Sequence, residues 1–139
     1  MKKFLALVVL CLAMITAQAA VPASIQSIVD EYNTSIAGTS EDGVLFGKSF
    51  ISGNDIIIPM YMDDAELVEA GFTLAEAIDM MGGTDAIAQI MLESLFEDPD
   101  SKSDPEIVAL KRYQYDLVVR MIGSTSKTQV DARVRYQSL

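Results

Sequence analysis

The chain of 139 residues contains no histidine, no tryptophan and a single cysteine, Cys11. Without imidazole, the Ser-His-Asp and Cys-His nucleophile systems, histidine-held zinc and an imidazole proton shuttle are excluded. Carboxylates, Lys, Tyr and Ser remain as the groups that any catalysis would have to use. The lack of tryptophan also removes the broadest platform on which a sugar ring could stack. Cys11 lies inside an apolar N-terminal run and follows Leu10, whereas a lipobox places a small residue before its cysteine. The chain beyond that run has no thiol, so neither a disulfide nor a lipid anchor is expected, and apolar packing must supply the stability. Basic residues are scarce as well: ten Lys and Arg stand against twenty Asp and Glu, a formal charge of −10. A surface of that sign repels nucleic acid and anionic lipid. It suits solubility, a cation or a basic protein partner.

The most informative segment present is the first. Lys2 and Lys3 form a positive start, Phe4 to Thr16 form an apolar run, and Ala17-Gln18-Ala19 supplies the small-x-small pattern of a signal-peptidase site. The run is too short to span a bilayer, and polar residues with Pro22 follow it. Residues 1–19 are therefore predicted to be a signal peptide and residues 20–139 a single exported domain, periplasmic or secreted, with no transmembrane span. Loss of Lys2 and Lys3 leaves eight bases against twenty acids, a charge of −12.

Pattern along the mature part predicts an α+β fold. Ile25, Ile28, Val29 and Tyr32 form the stripe of a helix from about Pro22 to Asn33. Gly38 to Gly43 reads as a loop. Val44 to Met62 reads as a β-hairpin turning at Gly53-Asn54, which sets Ile51 against Ile56, Phe50 against Ile57 and Phe46 against Tyr61. Both of its faces are apolar: Phe46, Phe50, Ile57 and Tyr61 on one, and Leu45, Ile51, Ile56, Ile58, Met60 and Met62 on the other. Pro59 cannot donate to a ladder and marks an edge or a bulge. Two to four short helices follow: one ending at Gly71, one with a Thr73–Glu76 capping box, one capped by Thr84 with Ile87, Ile90, Met91 and Leu95 inward, and one opened by Pro105. The chain closes with a second hairpin, Leu117, Val119 and Met121 on one strand face and Val130, Ala132, Val134 and Tyr136 on the next. The expected sum is one antiparallel sheet with helices packed on one face. This layout of N-terminal helix, FISGNDIIIPMYMDD, helical middle and YDLVVRMIGSTSKTQVDARVRY resembles small exported α+β domains of Gram-negative bacteria that have no assigned activity. The resemblance implies a fold and a location and carries no functional residues.

Candidate sites follow from these patterns. Phe46, Phe50, Ile57 and Tyr61 would form an interface if their face stays uncovered, either with a second copy of the chain or with another envelope protein. Residues 107–139 carry six bases against Asp116 and Asp131, and Arg120, Arg133 and Arg135 are a candidate anion-binding or docking surface; cross-strand pairing with those acids is the plainer reading. Asp63, Asp64, Glu66 and Glu69 are the carboxylates from which a small hydrolase would be built. Asp98, Asp100 and Asp104 offer a loose calcium site that lacks the EF-hand pattern. Met60-x-Met62 and Met80-Met81 offer thioethers to Cu(I), although filling a core is the commoner use of methionine. No catalytic, metal or cofactor set stands out. The expected function is binding or assembly without catalysis, with the carboxylate hydrolase and the metal-binding module as alternatives.

Overall fold

The computed structural model describes residues 21–139, and the proposed signal peptide lies outside them. The first helix, α1 (Ala23–Ser35), buries Ile25 and Val29 and half-buries Ile28 and Tyr32, the four positions of the sequence stripe. Next comes a ribbon of three short strands, β1 (Ser40–Glu41), β2 (Val44–Phe46) and β3 (Phe50–Ser52), followed by the long β4 (Asp55–Met62). The segment expected to be a loop thus contains a strand. Asp42-Gly43, both at positive φ, form the two-residue turn that pairs β1 with β2.

The Gly53-Asn54 turn is where the sequence places it. Gly53 takes φ +60°, and Ser52 pairs with Asp55, Ile51 with Ile56 and Phe50 with Ile57. Further from the turn the expected register fails. Phe46 pairs with Met60, and Leu45 takes Tyr61. Between Phe50 and Phe46 lie three residues, whereas only Ile58 and Pro59 lie opposite, so one extra residue enters the edge strand as a β-bulge at Gly47–Ser49. The bulge falls opposite Pro59, as the missing N–H suggested. Its consequence is a change of face: Phe46 turns to the side of Met60, and Leu45 to the side of Tyr61.

Five helices are described in all. After β4 come α2 (Ala65–Glu69), α3 (Leu74–Met80), α4 (Gly83–Leu95), a 3₁₀ segment (Pro99–Ser103) and α5 (Pro105–Tyr113). The capping box on α3 is formed in full, Thr73 Oγ1 accepting from Glu76 N and Glu76 Oε2 from Thr73 N, each at 3.1 Å. Helix α4 begins one residue before Thr84, with Gly82 in the left-handed region as its cap. Its inward stripe is Ile87, Ala88, Met91, Leu92 and Leu95, while Ile90 is 62% exposed. Ile90 lies about 100° around the helix from Met91, off the face that meets the sheet.

The last strands are β5 (Asp116–Gly123) and β6 (Gln129–Val134), an antiparallel pair with Leu117, Val119, Met121, Ala132 and Val134 buried. One expectation needs correction here. The two hairpins do not join into a purely antiparallel sheet, because β4 and β5 run parallel, from Asp55↔Asp116 to Met62↔Gly123. The helical middle carries the chain from the end of β4 back to its beginning before β5 starts, as a crossover of that length permits. The six strands form one mixed sheet, β1-β2-β4-β5-β6 with β3 also on β4. Helices pack on the face bearing Ile56, Ile58, Met60 and Met62. One core cluster gathers Ile25, Val29, Ile56, Leu110 and Leu117, and a second gathers Leu74, Ile78, Val119, Met121 and Ala132. Among the described residues no helix is long and apolar enough to cross a membrane.

Candidate functional site

Among the described residues helices pack on one side of the sheet, and the other side is where the candidate surfaces meet. Register fixes its rows. One row crosses four strands as Phe50, Ile57, Val118 and Arg133; another as Leu45, Tyr61, Ile122 and Gln129; Pro59, Arg120 and Asp131 lie between them. Of the four residues expected to form an apolar interface, Phe50 and Tyr61 are on this face, 43% and 39% exposed. Ile57 shares the face but is buried, in the middle of the row between Phe50 and Arg133. Phe46 does not belong to it, since the bulge has rotated it to the helix side. Leu45, expected on the opposite face of the hairpin from Tyr61, replaces it and is 44% exposed. The bulge also shapes the surface locally. A Cβ on Gly47 would stand 2.8 Å from the Tyr61 ring and 3.0 Å from Pro59 Cβ, so glycine lets the aromatic ring lie over the bulge.

The arginines on the same face are paired internally. Arg120 donates from Nε and a terminal nitrogen to the two carboxylate oxygens of Asp131 at 3.1 and 3.3 Å, directly across the β5–β6 ladder. Arg133 reaches over two strands, donating to Asp55 at 2.6 and 3.0 Å and to Asp116 at 2.9 Å. These hydrogen bonds raise the pKa of both guanidinium groups. Three carboxylates therefore offset two arginines, the cross-strand pairing that the sequence allowed. Arg135 is exposed and makes no ion pair among the described residues; it sits apart, beside α4 residues Asp85 and Gln89 at the β6 edge. The three arginines do not form one basic patch.

At the bulged edge the outer face runs into a cleft of about 630 Å³ between α1 and β3. Val29, Phe50 and Ile51 give it apolar walls, and Gln26, Asp30, Asn33 and Lys48 give it polar ones. The Asn33 side-chain amide acts as a substitute peptide here. It donates to the Ser49 carbonyl at 3.0 Å and accepts from Ser49 N at 2.7 Å, which satisfies a bulge residue that has no strand partner. The Ser49 hydroxyl is buried and makes no hydrogen bond. Beyond Ser49, strand β3 has β4 on one side and no strand on the other. Sequence reasoning missed this cleft, because only the inserted residue brings Lys48 and Ser49 opposite Asn33.

The remaining candidates are drawn apart by the fold. Asp64 is buried under the β5–β6 turn, where its Oδ1 accepts from Thr125 N at 2.9 Å and Ser126 N at 3.4 Å. The Ser126 hydroxyl and these amides hold its pKa below the ordinary carboxylate value, against the desolvation that would raise it. Asp63 caps α2 by accepting from Ala65 N at 3.1 Å, and Glu66 and Glu69 are exposed. The quartet thus divides into a buried tether, a cap and two solvated side chains. Asp98 accepts from Asp100 N at 3.0 Å and caps the 3₁₀ segment, whereas Asp104 is the N-cap residue of α5. Among the described residues no three carboxylates converge as a metal site would require. Met60 and Met62 pack into the second core cluster, while Met80 and Met81 are 68% and 61% exposed at the end of α3.

No family model matches the sequence, and no curated protein does. Two solved structures are similar in fold. One is a protein of Pseudomonas aeruginosa described as secreted, 11% identical, with 82% of this chain and 88% of that one covered and a TM-score of 0.55. The other is the type II secretion system pilotin AspS of Vibrio cholerae, 10% identical, with 81% and 86% covered and a TM-score of 0.45. At these identities the likeness is one of architecture.

Proposed function

We propose that this protein is an exported, non-catalytic domain that works by docking a protein, a second copy of itself or another component of the envelope, on the bare side of its sheet. One observation carries the reading: Leu45, Phe50 and Tyr61 stand exposed on a sheet face that no helix among the described residues covers. Large apolar side chains grouped on a flat, rigid surface are the common sign of a contact site. The paired arginines beside them present fixed charges at the rim, which suits orientation of a partner more than affinity. Export is supported by the Lys2-Lys3 start, the apolar run and the Ala17-Gln18-Ala19 site, and residues 20–139 then form the working domain. The secreted description of the Pseudomonas structure agrees with that destination.

Light scattering behind size-exclusion chromatography separates the two kinds of partner. A second copy as partner gives a dimer that Tyr61→Arg converts to monomer. If the protein is monomeric at every concentration, a photo-crosslinking side chain placed at Tyr61 is expected to trap one envelope protein in cells, and the same group at Ile90 is not. A monomer that traps nothing at Tyr61 overturns the reading. Recovery of a chain starting at Ala20 from the envelope fraction tests export separately.

A further inference from the structure

A second surface on the opposite layer points to a different kind of contact. Between α2 and α3 lies a groove of about 600 Å³ lined by Asp63, Glu66, Leu67, Ala70, Phe72 and Met80. Leu67, Ala70, Phe72 and Met80 give it its apolar part, and two of these are well exposed, Phe72 at 46% and Met80 at 68%. A polarizable, unbranched Met beside an aromatic ring adapts to varied apolar shapes, which is how Met-rich surfaces accept partner helices. The charged residues that line it are both acidic. Asp63 and Glu66 line it, Glu69, Glu76 and Asp79 lie on the two flanking helices, and from Ser49 to Ser101 the sequence contributes no Lys or Arg.

We infer that this groove receives a cationic amphipathic helix of a partner protein, its apolar side seated on Phe72, Met80 and Leu67 and its Lys or Arg residues over the acidic rim. The groove lies between two helices, and no strand edge is among its lining residues. A strand would need free edge groups for its backbone, whereas a helix arrives with its own backbone hydrogen bonds made. The charge follows from complementarity: an anionic or neutral helix would leave the rim carboxylates facing like charge or losing water without compensation. This surface is separate from the Tyr61 face, and its occupation does not rest on what docks there.

The test uses a labelled synthetic helix of Leu and Lys in amphipathic order, with a scrambled peptide of the same composition as control. Binding is followed by fluorescence anisotropy, and backbone amide shifts locate the contact. The amphipathic peptide is expected to bind at least about tenfold more tightly than the scrambled one, with shifts concentrated in residues 63–81. The double variant Phe72→Ala, Met80→Ala should weaken it about tenfold, and Tyr61→Ser should leave it unchanged. Both groove positions are on the surface, so circular dichroism is expected to show the variant folded. Equal binding of the scrambled peptide, or shifts centred elsewhere, overturns the proposal. So does preferential binding of phosphatidylcholine vesicles that the double variant abolishes, which would make the groove a lipid contact.

Discussion

Asp64 shows how much one side chain can decide. It lies two residues beyond the end of β4, yet its carboxylate ends under the β5–β6 turn, accepting the amides of Thr125 and Ser126. Nearby, Ser124 N donates to the Met62 carbonyl at 2.9 Å, so the end of β4 and the distant turn are laced together. The charge on Asp64 is what these donors hold, and its pKa in the folded state is lowered. A carboxylate with a depressed folded pKa contributes stability that is complete above its unfolded value, near 4, and is lost as pH falls through the folded one. Wild-type protein should therefore lose melting temperature as the pH drops below about 4. Asp64→Asn should be less stable at neutral pH and show a shallower loss over that acid range. Thermal melts of the two proteins across pH give the comparison; parallel curves would dissociate Asp64 from acid sensitivity. The sequence showed an acid pair at a strand end. It held no local sign that one of the two would be buried against residues some sixty positions later.

At the scale of elements, what was legible depended on whether the signal was local. The α1 stripe, the Thr73–Glu76 box, the Gly53-Asn54 turn and the faces of β5 and β6 as far as Val134 each depend on neighbours within a few positions and are present, whereas Tyr136, expected on the last strand face, begins a 3₁₀ turn beyond β6. The Asp42-Gly43 turn is equally local and its dipeptide is a hairpin signal, so β1 is readable in a segment whose composition alone suggests a loop. The bulge was announced by Pro59 but could not be counted, since an inserted residue leaves no mark on period-two alternation until the register is known. That single insertion moved Phe46 off the candidate face and Leu45 onto it. Gly47 makes the device testable. Gly47→Ala should cost about 1–2 kcal/mol, because Pro59 Cβ and the Tyr61 ring both crowd the new methyl. Adding Tyr61→Ala should recover part of that loss, leaving the share due to Pro59. Urea denaturation of the four proteins measures the coupling, and strictly additive effects would mean that the ring does not bear on the bulge.

For the whole molecule, charge is the dominant fact. The described residues hold all twenty acids and eight of the bases, and two of those bases, Arg120 and Arg133, are engaged with Asp131, Asp55 and Asp116. These ion pairs are partly exposed and worth little individually. General repulsion among unpaired carboxylates acts against the folded state over longer distances. Raising NaCl from about 10 mM to about 150 mM shortens the screening length from ~30 Å to ~8 Å, and the repulsion should weaken more than the contact pairs do. Melting temperature is therefore expected to rise with salt, as differential scanning calorimetry can show. A fall would mean that the pairs outweigh the excess charge. The parallel join of β4 to β5 was beyond the sequence for a related reason: strand direction across a long crossover is settled by where the helices pack, not by any residue within the strands.

That join has a further consequence for any chain cut short. Ile56 to Met62 obtain their second neighbour only from the carboxy-terminal quarter of the polypeptide. A product clipped inside the helical middle would keep a greasy ribbon with one bare edge and nothing to close it, a ready seed for clumping. Intactness of the tail is therefore a condition of remaining dispersed.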